Sequence, residues 1–331
     1  MAARDIYVPP QRIGIRALDA SEAAHANSLA RAAIAAFNLD GYTVAELVRH
    51  SNVTARLVSA AGPALALRLR RGPSVDSRTE LAWLSAVRRG TEVRVLEPYA
   101  EEFDRNTRTV ANRDGTPVEC SLFFWADGRP LAADLTQLNY CELGRMTAQL
   151  HEFAASWQSA PGLKPLVWDR TMYYAGTQLV ITDPRYAEFV PARHARVVES
   201  VVGEADAELG RLTRAPDRMF LHGNIEMWNV LSTGPGELRL LDFEDVMVGP
   251  PVLDVAITLF YGRERTDYTA LVEAYGAGYR SVRPWPVRDS RQLALLTAAR
   301  AAMLLNHALL TERDRQSVTD RLLPLILDAA R

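Results

Sequence analysis

The chain has 331 residues, with 38 lysines and arginines against 40 aspartates and glutamates, so its formal net charge is −2 at pH 7. This balance argues against a surface dominated by nucleic-acid binding, because such surfaces are strongly basic. Apolar residues make up 48% of the chain and charged residues 24%, which is typical of a globular protein large enough for two lobes. Lys164 is the single lysine, and no glycine-rich run precedes it, which excludes a P-loop NTPase.

Cysteine usage and the apolar runs bound the cellular setting. Cys120 and Cys141 are too few for a disulfide framework or a four-cysteine zinc site. The N-terminal residues lack the apolar core of a signal peptide, and the apolar runs are shorter than the ~20 residues of a membrane span. We therefore expect a cytoplasmic protein with neither a membrane nor a nucleic-acid partner, and the oligomeric state stays open.

The first part of the chain predicts a small lobe rich in β-strands. Short runs of β-favouring residues alternate with turn residues, and two alanine- or leucine-containing stretches have helical spacing. The predicted elements are a helix over 21–37 with Ser21 as its N-cap, an antiparallel meander of three strands between 43 and 71, a helix over 77–88, strands over 93–98 and 118–125, and a hairpin turn at Asp114-Gly115.

The pattern becomes helical after about residue 126. An apolar stripe over residues 143–157 predicts a helix, with His151 and Trp157 as packing residues. Further helices are predicted over 193–212, 252–261, 267–281 and 291–311, the last almost wholly apolar and therefore buried. This change of class predicts an N-terminal lobe over 1–126, a hinge at about 123–129 and a helical C-terminal lobe over 130–331.

One polar segment interrupts the helical part. Residues 220–246 contain a polar loop and two short apolar strands, over 230–231 and 238–241, which are separated by a Gly-Pro-Gly turn. If these strands pair, the side chains of Asn224, Asn229 and Asp242 gather at one end of the hairpin. Oxygen ligands of this kind hold Mg²⁺, usually together with phosphate oxygens.

This segment resembles the catalytic loop and metal-binding strand of the aminoglycoside phosphotransferase and choline kinase-like family. The family pattern, His-Gly-Asp-x-x-x-x-Asn and then Asp-Phe/Leu-Asp/Glu after a hydrophobic strand, stands here at residues 222–229 and 242–244. The resemblance implies a two-lobed α+β fold of protein-kinase type, with an antiparallel-sheet N-lobe and a mainly helical C-lobe. It also implies ATP or GTP as phosphate donor, Mg²⁺ held by Asn229 and Asp242, and a hydroxyl of a small molecule as acceptor.

The resemblance extends to the first lobe. Arg68 lies on the third strand, where the family has a phosphate-contacting basic residue, and Glu80 lies where that residue has its acidic partner. The alternative for Arg68 is a solvated arginine on an edge strand. Ser51 and Asn52 would cap the nucleotide phosphates, and Phe124 would belong to the hinge whose backbone binds adenine. An ordinary turn and an ordinary core strand would use the same residues.

One position in the loop departs from the family pattern. By resemblance, His222 braces the loop and Asp254 holds its backbone from the following helix. Asn224, however, stands where the family has the aspartate that accepts or orients the proton of the substrate hydroxyl. An amide of the same size can orient a hydroxyl but cannot take its proton near pH 7.

Several explanations of this departure stay open. The chain is an engineered inactive variant, an impaired or repurposed homologue that binds nucleotide as a pseudokinase-type module, or an active enzyme in which Glu226 supplies the carboxylate. The alternative for Glu226 is a role within the loop, as a cap or in a salt bridge. A serine or threonine kinase of the same family is a further alternative. The acidic residues Glu226, Glu244 and Asp245 favour a cationic acceptor.

Overall fold

The computed structural model describes residues 18–49, 52–70, 76–174, 176–311 and 315–330, so the predicted phosphate contact at Ser51 lies outside the described residues. The helices are α1 (Ala20–Ala36), α2 (Ser77–Gly90), α3 (Phe103–Asn106), α4 (Gln137–Ser156), α5 (Ala192–Leu212), α6 (Val252–Gly262), α7 (Tyr268–Arg280), α8 (Ser290–Thr311) and α9 (Arg315–Asp328). The strands are β1 (Thr43–Arg49), β2 (Val53–Val58), β3 (Leu65–Leu69), β4 (Thr107–Ala111), β5 (Pro117–Phe124), β6 (Arg129–Pro130), β7 (Leu166–Val167), β8 (Met219–Leu221), β9 (Val230–Gly234), β10 (Glu237–Leu240) and β11 (Met247–Gly249).

The N-terminal part is built on an antiparallel sheet with strand order β1-β2-β3-β5-β4. The predicted meander and the hairpin at Gly115, where φ is +82°, are confirmed. Alternate residues of the central strands point to one face, where Ala55, Leu57 and Leu67 are fully buried in a cluster shared with α1. Because β3 lies between β2 and β5, Arg68 is on a central strand, and the edge-strand alternative is wrong.

Two local predictions in this lobe are corrected. The N-cap of α1 is Asp19 rather than Ser21, because the Asp19 side chain accepts from the Glu22 N–H while the Glu22 carboxylate accepts from the Asp19 N–H. Residues 93–98 form no regular strand. They make isolated bridges, Val95 to Leu240 and Pro98 to Phe123, which link this segment both to β10 and to the N-terminal sheet.

The second part is mainly helical, and its predicted helices are all present. The pair α4 and α7 packs closely because Gly144 and Gly278 face backbone, and a Cβ at Gly144 would collide with the carbonyl oxygen of Tyr275. Helix α8 is apolar and long enough to cross a membrane by composition, but 67% of its most apolar window is buried by the rest of the chain. Helix α9, which was not predicted, contains Pro324 and packs on α8.

Helix α2 connects the two parts through its aromatic residue. Trp83 is fully buried and its ring lies 4.9 Å from that of Trp157 and 5.8 Å from that of Phe153, both at the end of α4. The larger hydrophobic cluster therefore includes α2 as well as the helices of the second part, while a smaller cluster lies under the sheet.

Candidate active site

A cavity of about 410 Å³ lies between the N-terminal sheet and the β9–β10 hairpin. This volume is in the range of small-ligand sites. Its wall combines apolar side chains with the acidic and amide groups of the polar segment; the lining includes Asn52, Ala66, Arg68, Leu96, Phe123, Trp125, Ala126, Trp228, Asn229, Leu241, Asp242 and Glu244. The fold thus brings Asn52 and Arg68 to the same cavity as Asn229 and Asp242, although the sequence separates them by more than a hundred residues.

Arg68 is the cationic centre of this cavity. Its Nη2 lies 2.5 Å from Glu80 Oε2, and its Nη1 lies 3.7 Å from Asp242 Oδ1 and 3.8 Å from Glu244 Oε2. The guanidinium carbon is 5.0 Å from the centroid of the Phe123 ring. Burial lowers the pKa of the guanidinium, but the surrounding carboxylates raise this pKa by a larger amount. The net pKa is therefore above the ordinary value, and the group stays charged.

The partners of Arg68 are held in turn by neighbouring groups. Glu80 also receives Nη2 of Arg70 at 3.1 Å, so this buried carboxylate is shared by two arginines. Asn52 donates from Nδ2 to Glu244 Oε2, which ties the residue before β2 to the polar segment of the other lobe. The predicted Arg68–Glu80 contact is therefore present, and Asn52 lines the same cavity as Arg68.

The loop from His222 to Asn229 is held by one buried carboxylate. Asp254, on the first turn of α6, accepts the N–H of His222 at 3.0 Å and the N–H of Gly223 at 2.8 Å. Its Oδ2 also lies 3.2 Å from Nε2 of His151. Sequence reasoning placed Asp254 in this role, but it treated His151 as a packing residue, whereas the imidazole is a polar partner of the loop anchor.

Gly223 is required where the loop passes the polar segment. Its φ is +82°, a backbone angle that residues other than glycine rarely adopt. A Cβ at this position would also collide with the backbone oxygen of Asp245. The close approach of these two backbones brings the Asp245 side chain beside the loop.

The His222 ring joins the loop to the strand before Asp242. Its Nε2 donates to the Leu241 carbonyl at 2.9 Å, and its Nδ1 accepts the Asn224 N–H at 3.3 Å. Burial lowers the pKa of this histidine, and one ring nitrogen donates while the other accepts, so the ring is neutral. Phe243 packs on it with ring centroids 4.4 Å apart.

Asn229 and Asp242 fit a hard cation. The Nδ2 of Asn229 donates to the Asn224 carbonyl at 3.1 Å, so its amide oxygen is the atom a cation would use. Asp242 has φ +59°, a conformation that aspartate tolerates better than most residues, and it lines the same cavity. Within the described ranges no group of three or more His, Cys, Asp or Glu side chains forms a metal site by itself. The two oxygens therefore suit an ion that completes its shell with phosphate and water, as Mg²⁺ does.

The side chain of Asn224 belongs to a polar cluster that sequence reasoning missed. Its Nδ2 donates to Asp245 Oδ2 at 2.9 Å and its Oδ1 accepts from Arg300 Nη2 at 2.8 Å. Arg300 lies on α8 and is 4% exposed, and the hydroxyls of Tyr173 and Tyr261 lie 3.3 Å and 3.1 Å from its nitrogens. A charged residue in the middle of an almost wholly apolar helix was the sequence signal for this cluster.

The structure also places the other two predicted residues, Glu226 and Phe124. Glu226 is 4% exposed within the loop, and its backbone makes the turns that join Asn224 to Asn229. Phe124 does not line the cavity: its ring packs with Tyr99 and its N–H donates to the Glu97 carbonyl. The residues on either side of it, Phe123 and Trp125, line the cavity instead, because successive side chains of an extended chain point to opposite faces, and Ala126 lines the cavity as well.

Comparison with known proteins agrees with this architecture. A sequence profile of the phosphotransferase enzyme family (APH) matches residues 46–285, and the chain belongs to that family. Its fold is similar to that of a microcompartment-associated aminopropanol kinase (22% identity, 88% of this chain and 91% of the other, TM-score 0.68). It is also similar to amicoumacin kinase hAmiN (19%, 87% and 88%, 0.67) and to spectinomycin phosphotransferase APH(9)-Ia (12%, 91% and 97%, 0.61).

A curated relative is less informative. An uncharacterized protein of Synechocystis sp. is 26% identical over 183 residues, which are 54% of this chain and 48% of that protein, so the match spans about half of the relative's length. The family match and the solved structures confirm the predicted two-lobed α+β fold and the assignment to a phosphotransferase family.

Proposed function

We propose that this chain transfers the terminal phosphoryl group of ATP or GTP to a hydroxyl of a small molecule. The observation that carries the proposal is the convergence of Arg68, Asn52, Asn229 and Asp242 on one cavity. The arginine side chain and the two oxygen groups suited to a metal ion match the charged phosphates of a nucleotide. The aromatic and aliphatic walls of the cavity match the apolar faces of its base.

The residues at the phosphate end of the cavity differ in charge, and we assign them different roles. Arg68 stays ionised beside Glu80 and contacts phosphate oxygens as the family's basic residue does. Asn229 and Asp242 would hold Mg²⁺, which would neutralise charge on the phosphate oxygens. His222 and Asp254 keep the loop rigid by the hydrogen bonds described above, so that Asn224 and Asn229 stay in register.

The acceptor is proposed from the surroundings of Asn224. Solved neighbours are named as an aminopropanol kinase, an amicoumacin kinase and a spectinomycin phosphotransferase, and each name gives a small molecule as the acceptor. The carboxylates of Glu226, Glu244 and Asp245 near the loop favour an acceptor that carries an amine. We therefore propose an amino alcohol or an aminated antibiotic as the acceptor class.

Asn224 supports a second candidate, a nucleotide-binding module with little or no transfer. The two candidates differ in one measurement. Thermal shift with Mg-ATP and Mg-GTP tests binding, and release of ADP or GDP with 1-amino-2-propanol or spectinomycin tests transfer. Binding with acceptor-dependent ADP or GDP release supports the phosphotransferase, and binding with none supports the module. Absence of any shift at millimolar nucleotide contradicts both.

The cavity residues provide the control for this experiment. Asp242→Asn removes a charged ligand of the proposed ion while keeping the side-chain size, so the thermal shift with Mg-ATP should fall more than the shift with ATP and excess chelator. An equal shift for the wild type and Asp242→Asn under both conditions would contradict the proposed metal site.

A further inference from the structure

The loop position that lacks the family's aspartate has a carboxylate one hydrogen bond away. Asn224 Nδ2 lies 2.9 Å from Asp245 Oδ2, and Asn224 Oδ1 lies 2.8 Å from Arg300 Nη2. A guanidinium only donates and an ionised carboxylate only accepts, so these two partners decide which end of the amide faces each of them. The amide is thus fixed between a cation and a carboxylate.

We propose that Asp245 is the proton acceptor for the substrate hydroxyl, and that Asn224 orients this carboxylate. The inference rests on the proposed phosphotransferase function. The acceptor oxygen forms a bond to the γ-phosphorus while the bond from that phosphorus to the β–γ bridging oxygen breaks. The bridging oxygen leaves on the nucleoside diphosphate with the electron pair, and the hydroxyl proton moves to an oxygen of Asp245, which then releases it to water.

The contacts of Asp245 suit a base better than those of the other carboxylates nearby. Its Oδ1 accepts the hydroxyl of Tyr174 at 2.5 Å and its Oδ2 accepts the amide of Asn224, and both donors are neutral. Among the ion pairs of the described residues, none involves Asp245. Glu80, by contrast, is shared by Arg68 and Arg70, and such pairing lowers the basicity of a carboxylate.

Access to the acceptor also separates Asp245 from Glu226. Asp245 is partly exposed as a residue, whereas Glu226 is 4% exposed inside the loop. Burial and the charge of Glu244 raise the pKa of Asp245 to about 6, while Tyr174 and Arg300 oppose this rise. A carboxylate of this kind is ionised at pH 7 and still basic enough to take a proton in the transition state.

Arg300 acts in this arrangement as a positioning residue. It is held by the hydroxyls of Tyr173 and Tyr261 and presents Nη2 to the Asn224 oxygen. An aspartate at position 224 would meet Arg300 with one oxygen and the Asp245 carboxylate with the other. Two carboxylates at this distance cannot both ionise freely. If the family's aspartate is restored at position 224 and Asp245 is unchanged, the two carboxyl groups therefore share a proton.

This geometry suggests an exchange experiment. Asp245→Asn removes the carboxylate, and the double variant Asn224→Asp/Asp245→Asn moves it to the family position with the same hydrogen bond reversed in direction. Both are compared with the wild type, with Asn224→Asp and with Asp183→Asn. The last is a carboxylate-to-amide control outside the cavity and the loop, where the partner, Arg185, is mostly exposed. The readouts are thermal shift with Mg-ATP and single-turnover ADP release, with 1-amino-2-propanol and with water as acceptor.

We expect Asp245→Asn to bind Mg-ATP like the wild type and to transfer about 10²- to 10⁴-fold more slowly, and the double variant to recover at least about tenfold of this loss. Asn224→Asp alone should be slower than the wild type, and Asp183→Asn should match it.

Two outcomes overturn the inference while leaving the phosphotransferase intact. One is that the Asp245→Asn variant releases ADP as fast as the wild type, while the Glu226→Gln single variant is slow. The other is a folded, nucleotide-binding double variant that stays as slow as Asp245→Asn. A wild type that releases no ADP contradicts the proposed function first, and the inference then fails with it.

Discussion

Asp254 and His151 form a hydrogen-bonded pair in the core of the second lobe, with Oδ2 and Nε2 3.2 Å apart. The same carboxylate accepts the N–H groups of His222 and Gly223, so α4, α6 and the loop meet at one side chain. Burial raises the pKa of Asp254, but His151, His222 and the Gly223 N–H lower it more, so the net pKa is below the ordinary value and the group is ionised.

We expect Asp254→Asn to destabilise the fold and to slow transfer. An amide at this position points an NH₂ group at one of the loop N–H donors, and each buried donor left without an acceptor costs about 1–3 kcal/mol. Urea denaturation measures the loss, and Asp183→Asn provides the matched change outside the loop. An unfolding midpoint equal to that of the wild type would show that the loop finds another acceptor.

Arg68 is expected to matter for stability as well as for nucleotide binding. Arg68→Met leaves Glu80 and Glu244 buried without this cation, and removing one partner of a buried ion pair costs about 3–5 kcal/mol. Arg68→Lys keeps the charge but loses the fork that reaches several carboxylates, so its loss should be smaller. Urea denaturation and calorimetric titration with Mg-ATP separate the two effects. Equal stability of Arg68→Met and Arg68→Lys would contradict an electrostatic role.

The transfer rate is expected to depend on the ionisation of Asp245. The groups that face it are Glu244, Glu226, Tyr174 and Arg300, and its pKa is raised to about 6. Because the base must be deprotonated, the single-turnover rate should be low near pH 5, rise through about pH 6 and level off near pH 8. The Asp245→Asn profile should lack this step. A wild-type rate that is flat over the range would contradict the assignment.

Glu208 on α5 is expected to make stability depend on acid pH. It accepts from Arg211 at 2.7 Å, from Gln292 at 2.8 Å and from Arg288 at 3.3 Å, and chiefly the Arg211 hydrogen bonds lower its pKa to about 2. A lowered carboxylate pKa contributes stability above the unfolded value of 4.5, and this contribution is lost as pH falls from about 4.5 to about 2.

The test of this dependence is Glu208→Gln. We expect it to lose about 1.5 kcal/mol at pH 7, since Arg211 is half-exposed and screened, and to show a flatter fall in stability below pH 4.5. Glu204→Gln on the same helix is the control, because its pair with Arg291 is about half-exposed on both sides and should contribute little. Equal effects of the two substitutions on the free energy of unfolding would contradict a stabilising contact between Glu208 and Gln292 of α8.

Elements with a strong local pattern were predicted from the sequence. The spacing of apolar residues identified the sheet of the first lobe and the helices α4 to α8, because burial of one face imposes a period that a single chain displays. Residues 93–98 were predicted as a strand and form only isolated bridges, since their partners, Leu240 and Phe123, lie on elements of both lobes. Helix α9 was missed because Pro324 lies inside it, and a proline within an apolar run ordinarily predicts the end of a helix.

The sequence alone determined the class of the protein and the identity of the loop, because the spacing from His222 to Asp242 is a property of the chain itself. Only the tertiary structure decided which groups meet Asn224. Asp245 is 21 residues away in sequence and Arg300 is 76, and the His151–Asp254 pair spans 103. Such contacts depend on how α4, α6 and α8 pack around the loop, and neither composition nor periodicity encodes which polar side chains face each other after packing.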